Sequence, residues 1–142
     1  MNEDVCYERY GLRPNRDAIE EIRQLLCEQV EKESESQGAG DTELMKLLCA
    51  QLFNVGEMSD VSLIWSAKRS SFDAGVSLDI QLMCGAGLGE TIGYLKSSAE
   101  SWAADAVASI EKAVADEDLE GFTVQDYSDF LDYYYEDEED EK

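Results

Sequence analysis

The chain has no histidine, one proline and 11 basic residues against 33 acidic ones in 142 residues. Each shortage excludes something. Histidine is the usual base behind serine and cysteine nucleophiles and a common metal ligand. Without it there is no Ser–His–Asp triad, no zinc site completed by imidazole, and no Glu-x-x-His motif of the di-metal carboxylate bundles. A single proline, Pro14, favours long unbroken elements over a turn-rich β fold. No apolar run approaches the ~20 residues that span a bilayer. The start, Met1-Asn2-Glu3-Asp4, is acidic and polar rather than basic then apolar, so no secretory leader is expected and the expected location is cytoplasmic.

Cysteine is scarce and scattered. Cys6, Cys27, Cys49 and Cys84 form no close pair. In a reducing compartment they read as mostly buried small hydrophobes rather than disulfides or a zinc site. Oxygen-ligand calcium loops need alternating acids and a central glycine. The run Asp116-Glu117-Asp118 lacks both.

What the chain has is negative charge, a net of −22. The stretch 116–142 alone holds 13 acids and one base, a net of −12, leaving −10 for residues 1–115. Charge this far from zero repels nucleic acid and anionic membranes and attracts cationic proteins. The hydrophobic fraction of 44% is nevertheless that of a globular protein, and the length suits one domain.

Helical spacing recurs along the chain. Residues 1–16 read as an irregular lead-in. Asp17 and Glu20 stand in capping-box relation ahead of Ile19, Ile22, Leu26 and Val30. Residues 34–40 read as a polar, glycine-bearing loop. A second helix starts near Asp41 or Thr42, with Leu44, Leu47, Leu48 and Leu52 as its stripe, and ends at Val55-Gly56. Ser59 or Asp60 opens a third, carrying Val61, Ile64, Trp65 and Lys68. Residues 72–87 fit two periods. Val76, Leu78, Ile80 and Leu82 alternate like a strand, while Phe72, Val76, Ile80 and Met83 fit a helix. The helix is preferred, because a lone strand has no partner. Gly85-Ala86-Gly87 breaks the chain before a short helix with Leu88, Ile92 and Leu95. Ser97 and Glu100 suggest a second capping box, followed by Trp102, Ala106, Ile110 and Val114. Thr123 caps a last helix with Val124, Tyr127, Leu131 and Tyr134.

The expected fold is all-α, a compact bundle or short helical-hairpin array of roughly six to seven helices. Residues 1–135 would form one domain. Residues 136–142, with no apolar side chain, would be a disordered acidic tail.

Two surfaces stand out as candidate sites. The first is the end of the last helix and the tail: Asp126, Asp129, Asp132, Tyr133, Tyr134, Tyr135, Glu136, Asp137 and Glu138. Tyrosine offers a rigid apolar body with a polar tip, and acids around it complement a basic partner. The second is Trp65, Lys68, Arg69, Asp73, Asp79 and Glu90, which places the only adjacent basic pair beside an aromatic and several carboxylates. The glycines at 85, 87 and 89 do not match a dinucleotide fingerprint, and no Walker lysine follows. No cofactor or metal is expected.

The function expected is therefore non-catalytic. A strongly acidic protein would neutralise or shield a basic protein, as bacterial toxin-immunity inhibitors do to nuclease-type toxins. That parallel is one of charge and size. The alternatives are an adaptor or chaperone-like module for basic clients, and an enzyme using a carboxylate or lysine base. No nucleic-acid or membrane partner is expected, and the oligomeric state expected is a monomer or weak dimer.

Overall fold

Helix α3 (Thr42–Val55) is the axis of the molecule, and its sequence shows why. Asp41 accepts a hydrogen bond from the Leu44 N–H at its start, 3.0 Å away. Nine of its residues, Leu44, Met45 and Leu47 to Phe53, are buried. A helix apolar on every side needs cover on every side. Gly56 ends it with φ of 75°, a left-handed conformation that favours glycine.

The computed structural model describes the backbone of residues 1–140 and the side chains of residues 1–136. Eight α-helices and three 3-10 turns make up the described residues, with no strand among them. Helix α1 (Glu3–Tyr10) packs on α3. It replaces the irregular lead-in expected there. Asn2 caps it, Glu3 and Asp4 lie in its first turn and Arg9 in its last. Only Cys6 is fully buried, so its apolar period is too weak to read.

Helix α2 (Ile19–Glu35) lies against α3 and against α4 (Val61–Lys68). Asp60 occupies the cap position of α4 as expected, without a side-chain cap bond, whereas the Asp17–Glu20 capping box does not form, because Ala18 holds the cap position of α2. Asp17 sits inside a 3-10 turn leading into α2. Asp60 instead receives Arg23 in a two-pronged ion pair at 2.7 and 3.1 Å, which ties α2 to α4. Buried Glu33 holds the next connection. Its carboxylate accepts from the Gly38 and Gly40 N–H groups, each at 3.0 Å, and from the Ser71 hydroxyl at 2.6 Å.

Between 72 and 84 the chain forms two helical pieces rather than a strand, as preferred: α5 (Phe72–Ser77) and a 3-10 turn at Ile80–Cys84, parted by the non-helical Leu78 and Asp79. The expected stripe holds at Met83 and partly at Ile80, and is out of register before them. Phe72 and Val76 are 78% and 68% exposed, while Ala74, Leu78, Leu82 and Met83 are buried. The break after Ser77 resets the helical phase. Gly85 passes so close to α3 that a Cβ there would collide with the Phe53 carbonyl.

Helices α6 (Leu88–Lys96) and α7 (Ser101–Ala115) pack together and on the 3-10 turn. Small residues of α7, Ala103, Ala106 and Ala113, are buried with Val107 and Ile110. Val114, expected in the stripe, is exposed. Glu100 occupies the cap position without a side-chain bond, so the Ser97–Glu100 box does not form.

Helix α8 (Val124–Asp140) begins at Thr123, whose hydroxyl accepts from the Asp126 N–H at 3.0 Å. Its inward line is Ser128, Leu131 and Tyr135, one position later than the expected Tyr134. Past Glu136, the side chains of the expected acidic tail lie outside the described residues. No helix among those described is long and apolar enough to cross a membrane.

Candidate functional site

The second candidate surface does not converge on one point. Trp65 is buried, and Arg69 lies over its ring at 5.4 Å. Lys68 is half-buried, and its Nζ donates to the Gly75 and Leu78 carbonyls at 2.7 and 2.6 Å. Those are end groups of α5, so this ammonium caps a helix C-terminus. Burial draws its pKa down, with Asp79 opposing. Asp79 accepts a hydrogen bond from the Tyr127 hydroxyl at 3.0 Å. Burial first, then Asp79, pushes that phenol far up, which keeps it a donor. Asp73 and Glu90 are exposed on the first turns of α5 and α6. Lys68 and Asp79 alone share a cleft, of about 460 Å³, with Lys112 and Asp116, themselves paired at 2.6 Å.

The residues of α8 divide into those used internally and those turned outward. Asp132 takes the Arg13 guanidinium at 2.7 and 3.0 Å, while Arg13 also donates to Ser128 at 2.8 Å. Ser128 in turn donates to Asn54 on α3. This clamp holds the 11–16 segment, α3 and α8 together. Tyr135, expected at an interface, is 3% exposed and stacks on Tyr7 at 5.8 Å. It belongs to the core. Outward lie Tyr133 at 71% exposed and Phe130 at 48%, with Tyr134 beneath Lys46 at 4.6 Å. Asp126, Asp129 and Glu136 are exposed, Asp129 accepting from Gln125. Asp137 and Glu138 fall outside the described side chains.

A feature not singled out from sequence sits where α7 connects to α8. A cleft of about 200 Å³ is walled by Phe122, Tyr127 and Phe130 and rimmed by Asp118, Glu120 and Asp126. The rings of Phe122 and Phe130 lie 6.1 and 5.4 Å from that of Tyr127. The three carboxylates make no ion pair among the described residues. The 116–121 run reads as a turn in sequence, and nothing in its spacing shows that Asp118 and Glu120 line a cleft with Phe122.

No protein-family model matches the chain, and no curated protein or solved structure matches it either.

Proposed function

We propose that this chain is a non-catalytic acidic protein that neutralises or shields a basic protein partner, in the manner of a toxin-immunity inhibitor. The observation that carries this reading is the outward face of α8. Phe130 and Tyr133 are exposed among carboxylates on a helix whose other side is firmly docked. Exposed aromatics on a rigid element are good anchors, and a net charge of −22 steers a cationic partner toward them.

The test is capture from the source organism with the full chain at low and then moderate salt, followed by pairwise binding of each retained protein. One basic protein held near-stoichiometrically through the salt step, with a salt-dependent association rate, supports the reading. Absence of any basic protein at low salt overturns it.

A second reading, a chaperone-like module for basic clients, has support in the exposed pair Phe72 and Val76 on α5, a separate apolar patch. It predicts several weakly held basic proteins released together by salt.

A further inference from the structure

We infer that the aromatic cleft at the start of α8 is the partner-anchoring subsite and that it takes an arginine side chain. This rests on the reading that the partner is a basic protein, and it specifies where and by what group that partner is held.

The cleft is concave and aromatic. Phe122 and Phe130 flank the ring of Tyr127, whose hydroxyl is turned away to Asp79. Phe130, whose ring also neighbours that of Tyr134 at 6.3 Å, is 48% exposed, so part of its surface is open to an incoming group. An apolar occupant would suit the walls and not the rim, because Asp118, Glu120 and Asp126 line the same space. A cation suits both. It lies against ring faces while carboxylates accept its N–H groups.

Net charge also favours a cationic partner over a second copy of this chain as the occupant, since two bodies of −22 repel. Among protein cations, guanidinium fits better than ammonium. It is planar, stacks on aromatic rings, is less strongly hydrated, and presents donors to several carboxylates at once. The rim acids are available for it. Asp116, nearby, is held by Lys112 and Asp132 by Arg13, whereas none of the three rim carboxylates forms a close ion pair among the described residues, Asp118 interacting with Lys112 only at longer range.

The experiment is a ¹H–¹⁵N NMR titration of the full chain with acetyl-Gly-Arg-Gly-amide, beside acetyl-Gly-Lys-Gly-amide. The expected result is saturable shifts concentrated in residues 118–130, with the lysine peptide several-fold weaker. Phe130→Ala, and separately the triple change Asp118→Asn, Glu120→Gln and Asp126→Asn, should each weaken the arginine peptide about tenfold. All these positions are exposed, and circular dichroism checks that each variant keeps its helices. Equal shifts from both peptides, shifts spread along the acidic end of α8, no saturable shift, or a response unchanged in the variants would each overturn the subsite. If the subsite fails while a basic protein is still captured, the partner reading stands. If arginine binds in the cleft and no basic protein is captured, the partner reading falls.

Discussion

Glu33 shows how a single acid can be structural in a chain full of solvated ones. The Ser71 hydroxyl holds its carboxyl below the usual range against the opposing effect of burial, and the Gly40 and Gly38 N–H groups add to the lowering. A depressed folded-state pKa stabilises the fold fully above the unfolded value, about 4.3, and that contribution is lost as pH falls through the folded value. The difference in urea-unfolding free energy between the native chain and Glu33→Gln should therefore shrink as pH drops below about 4.3. Parallel pH curves for the two would contradict this. The thiols give a second residue-scale prediction. Burial pushes Cys49 and Cys84 up to about 12 and raises Cys6; Cys27 is raised too, by partial burial and then the nearby Glu31, Glu20 and Glu28, but it alone is exposed to a reagent. A thiol reagent at pH 8 should label Cys27 alone in the folded protein and all four cysteines in urea.

At the scale of elements, α3 and the outer face of α8 should respond oppositely to truncation. Leu48 is fully buried, so Leu48→Ala should cost about 2–5 kcal/mol in denaturant unfolding. Phe130→Ala should stay within about 1 kcal/mol while weakening partner binding. A large stability loss at Phe130 would make it core and remove it from the site. The elements differ in how far they can be read from sequence. Helix α3 is legible because Asp41, four leucines and Gly56 mark its start, face and end together. Helix α1 is not, having one buried residue. The register of α5 is lost because the Ser77–Asp79 break falls inside what looks like one periodic run. Tyr134 and Tyr135 are adjacent and chemically alike, so only the docking angle of α8 decides which is buried. The cleft lined by Phe122 depends on where the 116–121 turn places Asp118 and Glu120 relative to α8, a tertiary fact that no local spacing encodes.

For the whole molecule, charge is the organising quantity. The ion pairs among the described residues engage five of the 11 bases, Arg9, Arg13, Arg23, Lys96 and Lys112, and leave a large acid excess on the surface. Self-repulsion of that excess should make the fold more stable as salt screens it, with the urea midpoint rising between low and moderate ionic strength at pH 7. A falling midpoint would mean that ion pairs outweigh repulsion. The same excess should make association with a cationic protein fast at low salt and slower as salt rises, while the aromatic anchors govern how long the complex lasts. The most direct test is to capture partners from the source organism with the full chain through a moderate-salt wash, then to measure the kinetics of what is retained. A single basic protein, retained near-stoichiometrically and losing residence time with Phe130→Ala, is the predicted result. Retention of no basic protein, or release of everything by salt, would contradict a dedicated acidic inhibitor.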